Sequence, residues 1–228
     1  MRYQFFAFLL LALVPLSVPA QDEDATVTHD GLILLEDTDV HAAFIAPDAD
    51  FSVFMRVVVL RPHVAFRSDW LRRQNRTSRS RNVRASDAER IKEDVADLLK
   101  DVFVEQLEAA GYEVVNYEDD DVLILRPTIL DLDVTAPDTR SAGRSRTYTA
   151  TTGAATLFLE LFDSTTGDIV GRAVDRRSAG RSGGFAVQSN RVTNRADARR
   201  EFRVWADKLI EFLDQHYVQP GEDEAAAD

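Results

Sequence analysis

Two stretches of the chain repeat apolar residues at the spacing of a helix. From Ser86 to Ala110, apolar side chains recur every three or four residues, charged side chains fill the opposite face, and Gly111 is a natural C-terminal stop. Ser86 and Glu89 predict a capping box at its start. The second apolar stripe consists of Ala198, Phe202, Trp205, Leu209 and Phe212.

Shorter segments carry the pattern of β-strands. They are rich in β-branched and apolar residues, or they alternate apolar and polar residues with a period of two. The predicted strands are residues 54–60, 112–115, 122–134, 147–162 and 169–175. This order of elements predicts an α+β fold, in which two main helices pack on one face of a mixed, largely antiparallel sheet.

The longest predicted strand carries two carboxylates on one face. Within residues 122–134, one face of the strand carries Thr128, Leu130, Leu132 and Val134. The other face carries Ile129, Asp131 and Asp133. We expect the two aspartates to pair with arginines of neighbouring strands on a wet sheet face. A general acid and base is the alternative role for such a pair.

The N-terminal residues resemble an export signal. Residues 1–20 combine a positive start, an apolar core over residues 5–16 and small residues before an acidic stretch. The core is shorter than the roughly 20 residues of a membrane-spanning helix, and Pro15 interrupts it. We therefore expect a cleaved signal peptide, no transmembrane span after cleavage, and a protein of the periplasm or cell envelope. An uncleaved anchor is the alternative.

Composition narrows the possible partners. The formal net charge is -12, which argues against a nucleic-acid binder, and the absence of cysteine excludes disulfides, thiolate nucleophiles and a lipobox. Both ends of the mature chain are acidic, and we expect disorder there. The predicted organisation is a disordered lead at residues 21–30, one α+β domain over residues 31–218 and a disordered tail at residues 219–228.

Three segments carry a resemblance. Residues 46–54 place Asp-Phe-Ser before the first central strand, residues 160–172 form an Asp-Ser-Thr-Thr-Gly hairpin, and Trp205-Ala206 lies in the closing helix. In this order and spacing the chain resembles the bacterial envelope proteins of domain-of-unknown-function family DUF3313, over about residues 30–217. The resemblance implies an exported, often lipid-anchored protein with no assigned catalytic residue. This chain resembles such lipoproteins but lacks the lipobox cysteine that would carry the lipid anchor.

Residues 67–84 form an arginine-rich segment that we expect to be a loop. Guanidinium groups bind phosphate and carboxylate in a bidentate manner, so the segment is a candidate site for lipid A phosphate, an anionic polysaccharide or an acidic partner. The alternative is a mobile loop whose arginines meet the chain's own carboxylates. The candidate residues are Arg72, Arg73, Arg76, Arg79, Arg81 and Arg84.

Other chemical motifs are weak. Residues 180–184 match Gly-x-Ser-x-Gly, but no helix follows directly, and His216 is the only later histidine. The acidic turn at residues 118–121 lacks the spaced ligands of a calcium loop, so we expect a solvated turn. The four histidines show no ligand spacing. We expect no catalytic residue, metal or cofactor.

These observations favour a non-enzymatic envelope protein. The leading hypothesis is a protein-interaction or accessory module with an envelope protein as partner. The alternative is a module that binds an anionic lipid or polysaccharide through residues 67–84.

Overall fold

The computed structural model describes residues 27–77, 83–134, 148–149, 153–179, 187–188 and 191–216. The predicted signal peptide at residues 1–20, the acidic tail at residues 219–228 and the Gly-x-Ser-x-Gly motif at residues 180–184 lie outside the described residues. So does most of the predicted acidic lead.

Three α-helices and ten strands are described. The helices are α1 (Trp70–Thr77), α2 (Ala85–Ala109) and α3 (Arg191–His216), and a 3₁₀ turn spans Phe51–Val53. The strands are β1 (Ile33–Leu34), β2 (Ala42–Ile45), β3 (Arg56–Val59), β4 (His63–Phe66), β5 (Glu113–Val114), β6 (Val122–Asp133), β7 (Tyr148–Thr149), β8 (Gly153–Asp163), β9 (Ile169–Ala179) and β10 (Val187–Gln188). No described helix has the length and hydrophobicity needed to cross a bilayer.

Eight of the strands form one mixed sheet. Its order is β1-β2-β9-β8-β6-β3-β5, and β4 continues along the same edge of β6 as β3. Pairs that involve β3 or β4 are parallel, and all other pairs of this sheet are antiparallel. The long β6, β8 and β9 form its centre. The predicted α+β class with a mixed, largely antiparallel sheet is confirmed.

Helices α2 and α3 pack on the same face of this sheet. The core between them contains Phe103 of α2, Trp205 of α3 and Leu159 of β8, all nearly inaccessible to solvent. The apolar stripe of α3 supplies core residues at the predicted positions, from Phe202 to Leu209. Both predicted main helices therefore form, and they bury the faces that the sequence pattern indicated.

The start of α2 differs from the prediction. The helix begins at Ala85, and Asp87 accepts a hydrogen bond from the Arg84 backbone N–H at Oδ2, with 3.0 Å between the heavy atoms. The predicted capping box of Ser86 and Glu89 is wrong by two positions. The aspartate in the third helical position accepts from the N–H of the residue before the helix, which is the role that the prediction gave to a glutamate.

Strand β6 contains a bulge that reverses the predicted burial. Ile129 is fully buried, whereas Leu130 is 37% exposed. Asp131 has a φ of +51°, and the pairing with β8 shifts between Leu130 and Asp133. Because the bulge adds one residue to the strand, Leu132 does not lie on the same face as Leu130. It lies on the face that the helices cover, where it is buried. The single alternation predicted for residues 128–134 is therefore wrong.

Segments predicted as irregular contribute regular structure. The expected loop at residues 67–84 contains α1, and β9 extends beyond the predicted strand end at residue 175 to Ala179. The end of the predicted disordered lead also belongs to the fold, since Val27 bridges Ile33 and Asp30 forms an ion pair with Arg172 at 2.5 Å. Tertiary contacts order these polar stretches, which have little apolar pattern of their own.

Candidate functional site

The arginines of residues 67–84 do not form one cluster in the described structure. Arg73 turns inward and donates to Asp133 at 2.6 Å, and it also lies 3.3 Å from Asp69. Arg67 lies 3.2 Å from Asp69 and 3.6 Å from Asp133. The expected ion pairing of Asp133 therefore occurs, but with arginines at and near α1 rather than with arginines of neighbouring strands, and the side chain of Asp131 is exposed.

The other candidate arginines differ in position. Arg72 and Arg76 are exposed and lie one turn apart on α1, on the same side of the helix. Arg84 precedes α2 and is also exposed. Arg79 and Arg81 lie outside the described residues. Among the described candidate arginines, Arg72, Arg76 and Arg84 are therefore exposed, and Arg72 and Arg76 share one side of one helix.

Helix α1 is held to the sheet by Trp70. Its side chain is 1% exposed, its ring stacks on Phe66 with 3.8 Å between centroids, and Nε1 donates to the Val134 carbonyl at 2.6 Å. These contacts explain how a short polar helix keeps its position. They also place its arginines beside the C-terminal end of β6.

The acidic turn at residues 118–121 is an ion-pair site in this structure. Carboxylate oxygens of Asp119, Asp120 and Asp121 lie within 4.8 Å of one another. The Arg56 guanidinium donates to Asp119 at 2.9 Å and to both carboxylate oxygens of Asp121. These hydrogen bonds raise the pKa of Arg56 above its ordinary value. The guanidinium offsets one of the negative charges of the turn and holds Asp119 and Asp121 together.

A cavity of about 330 Å³ lies between α3 and the sheet at β2, β9 and β8. Small residues form part of its floor, where Ala43 pairs with Ala173 and Gly171 pairs with Ile45 in neighbouring strands. A Cβ atom at Gly171 would lie 3.1 Å from Leu161 Cδ1. Leu161 therefore occupies the space above Gly171, and the unfilled space lies over Ala43 and Ala173, where large side chains at β6 and β8 set the distance between helix and sheet.

The cavity has apolar walls and a polar mouth. Leucines of β8 and the α3 residues Leu209 and Phe212 line the interior. Segment 35–40 covers one side, and its Asp37 adopts a φ of +57°, a left-handed conformation that aspartate tolerates. Apolar walls with a few polar groups at the opening are typical of small-molecule sites.

A buried carboxylate joins the strand and helix walls of this cavity. Asp175 is 5% exposed, and its Oδ2 accepts from Trp205 Nε1 at 3.0 Å and from Lys208 Nζ at 3.3 Å. Its Oδ1 lies 2.7 Å from His41 Nδ1. Burial alone would raise the pKa of Asp175, but the bonds from its three partners and the charge of Lys208 hold that pKa below its ordinary value.

Two of these partners also reach neighbouring backbone. His41 Nδ1, whose hydrogen points to Asp175 Oδ1, lies 3.1 Å from the Arg176 backbone nitrogen, and Lys208 Nζ donates to the Asp39 carbonyl. Lys208 thus connects α3 to segment 35–40 at the mouth of the cavity. The network fixes β9, α3 and the covering segment relative to one another.

Sequence reasoning missed this site. A signal was present, since Asp175 lies in phase with Gly171 and Ala173 on the face of β9 that packs against the helix. A carboxylate at a core-facing position needs buried partners. The partners His41 and Lys208 are 134 and 33 residues away in sequence, and no local pattern joins them.

Several solved structures are distantly similar to this chain. PelC from Paraburkholderia phytofirmans, described as a dodecamer, is 11% identical over 73% of this chain and 96% of that chain, with a TM-score of 0.37. A Xanthomonas campestris protein of family DUF330 is 12% identical over 79% and 93%, with a TM-score of 0.41. A minor lipoprotein from Acinetobacter baumannii is 13% identical over 70% and 91%, with a TM-score of 0.30. These scores carry no functional conclusion.

Comparison of the sequence with protein-family models gives a more specific result than comparison with solved structures. No curated protein matches the chain. The family model described as protein of unknown function (DUF3313) matches residues 35–209, which include the cavity floor, Asp175 and Trp205. The chain therefore belongs to the DUF3313 family.

Proposed function

We propose that this protein is an exported accessory protein of the cell envelope that acts by non-covalent binding, with the cavity beside Asp175 as its binding site. The observation that carries the proposal is the cavity itself. Its volume of about 330 Å³ lies within the range of roughly 300–1,000 Å³ typical of ligand pockets. The signal-peptide pattern of residues 1–20 supports export.

The chemistry of the cavity favours binding over catalysis. The Asp175 carboxylate is occupied by donors on both oxygens, so it acts as a structural anion. Among the described residues that line the cavity, the only hydroxyl group is that of Thr38, which donates to the Val40 carbonyl at 3.3 Å. The pair of His41 and Asp175 therefore has no neighbouring lining hydroxyl positioned as a nucleophile.

Export and occupancy can be tested together in the native host. A photo-crosslinking residue at Gln215, which lines the cavity mouth, is compared with the same residue at Ala196, an exposed position elsewhere on α3. We expect a mature N-terminus near residue 21, recovery in the periplasmic or envelope fraction, and a crosslinked species from Gln215 alone. An unprocessed cytoplasmic protein, or equal crosslinking from both positions, contradicts the proposal.

The outward arginines of α1 support a second candidate function, the binding of an anionic envelope ligand. Arg72 and Arg76 are one turn apart and exposed, so both guanidinium groups can approach one phosphate-bearing surface. Phosphates of lipid A are the ligand to test, presented in vesicles. Binding through exposed guanidinium groups weakens as ionic strength rises, because salt screens charges beyond about 10 Å at 0.1 M.

A matched pair of variants decides this second candidate. We expect R72A/R76A to lose vesicle binding at low salt, while R61A/R90A, which removes the same charge at exposed arginines elsewhere, retains it. Equal loss in both variants would indicate attraction by overall charge alone. Binding that is insensitive to salt would also exclude the arginine pair.

A further inference from the structure

We infer that the cavity beside Asp175 takes one aliphatic chain of about ten carbons whose polar end is a cation. This inference rests on the proposed binding function and adds the chemical class of the ligand. It follows from three properties of the cavity: its apolar interior, its volume and the negative charge at its mouth.

The interior can hold an aliphatic chain because its walls offer dispersion contacts and few hydrogen-bonding groups. Leu157, Leu159 and Leu161 line it from β8, and Leu209 and Phe212 line it from α3. A polar ligand would lose its hydration there without replacement partners. An alkyl chain gains from leaving water, by about 0.8 kcal/mol per buried methylene.

The volume sets the length of the chain. A cavity of about 150 Å³ in another protein holds benzene, which has six carbons. At that ratio, 330 Å³ accommodates about a dozen non-hydrogen atoms. A decyl chain with a small polar end has this size.

The charge at the mouth selects the polar end. The lining carboxylates other than Asp175 belong to Glu36, Asp37, Asp39 and Glu211. The lining cations are already paired: Lys208 with Asp175 and the Asp39 carbonyl, and Arg172 with Asp30 and Glu160. The opening is therefore net negative and complements a cation.

The small floor residues allow a selective block of the cavity. Ala173 lies on the helix-covered face of β9, and Val174, the next residue, lies on the opposite face. Ala173→Leu adds three carbons inside the cavity, whereas Val174→Leu enlarges the same strand outside it. Circular dichroism and thermal unfolding verify that both variants are folded.

The experiment is calorimetric titration of the mature protein with decylammonium and decanoate, each below its micellar concentration, and with decanol below its solubility limit. We expect saturable one-to-one binding of decylammonium, at least about tenfold tighter than that of decanoate at low salt. Ala173→Leu should weaken decylammonium binding by about tenfold or more, and Val174→Leu should leave it unchanged. The triple variant E36Q/D37N/E211Q should reduce the preference for the cation over decanol.

The outcomes separate this inference from the proposed function. If decanol or decanoate binds at least as tightly as decylammonium and Ala173→Leu blocks it, the cationic ligand class is wrong and the binding cavity stands. If none of the three ligands binds saturably, or if Val174→Leu weakens binding as much as Ala173→Leu does, both the ligand class and the cavity as a binding site for such chains are overturned.

Discussion

Trp205 Nε1 donates to Asp175 Oδ2 at 3.0 Å, in a bond buried between α3 and β9. This bond links the closing helix to the strand that forms the cavity floor. Lys208, one turn later on α3, adds its charge to the same carboxylate. The family model spans both Asp175 and Trp205, so this contact lies inside the DUF3313 domain.

Removing the Asp175 carboxylate should destabilise the protein. Asp175→Ala leaves the indole N–H of Trp205 without its acceptor in a buried site, and we expect a loss of about 2 kcal/mol in the free energy of unfolding. Asp175→Asn retains an oxygen for that bond, so its loss should be smaller, about 1 kcal/mol. Urea denaturation measures both. Equal losses in the two variants would show that the indole bond contributes little.

The lowered pKa of Asp175 predicts the direction of a pH effect. The folded state holds this pKa below the unfolded value of about 3.9, so the unfolded state binds the proton more readily. The stabilisation is fully present above about pH 4 and is lost as pH falls through the folded pKa. We expect the unfolding free energy of Asp175→Asn to fall less steeply below pH 4 than that of the unmodified protein. Asp131→Asn, at an exposed position, is the control, and a curve for Asp175→Asn that parallels the unmodified protein contradicts the prediction.

The bulge in β6 makes the effect of glycine depend on position. Asp131 has a φ of +51°, so Asp131→Val should cost about 1–2 kcal/mol, and Asp131→Gly should be neutral or slightly stabilising. Thr128 lies in the regular part of the same strand, where valine should be more stable than glycine. Thermal unfolding of the four variants tests the reversal. The same order at both positions would show that the left-handed conformation is not maintained.

The ion pair of Arg73 and Asp133 should contribute modestly to stability. Both side chains are about one third exposed, so solvent screens the pair, and a double-mutant cycle with R73A and D133A should give a coupling of about 0.5–1 kcal/mol. Chemical denaturation at low and high salt provides the measurement. A coupling near zero at low salt would mean that other contacts, such as those of Trp70 and Gln74, position α1 without this ion pair.

Elements with a strong local pattern were predictable. Helices α2 and α3 and the hairpin of β8 and β9 follow from apolar periodicity and from the turn at residues 163–168. The short strands β1, β2 and β4 were not predicted, because two to four residues give too little pattern and become strands only by pairing with β9 and β6. Helix α1 was also missed, since it is polar and depends on the anchoring contacts of Trp70.

The candidate site was less predictable than the fold. Arg72 and Arg76 were identified from composition, but the inward orientation of Arg73 depends on Asp133 at the end of a distant strand. The cavity depends on the small side chains of Ala43 and Ala173, which lie in strands joined only in the folded sheet. A residue pattern along the chain does not reveal an unfilled space between elements.

The amino-acid sequence by itself determined the α+β class, the two amphipathic helices, the long central strands and the resemblance to DUF3313. Each of these depends on neighbours within a few turns of helix or one strand, where periodicity and turn chemistry act. Only the tertiary structure decided the bulge at Asp131, the inward turn of Arg73 and the network of His41, Asp175 and Lys208. Those features arise from contacts between residues far apart in the chain, and packing of the sheet against α3 brings them together.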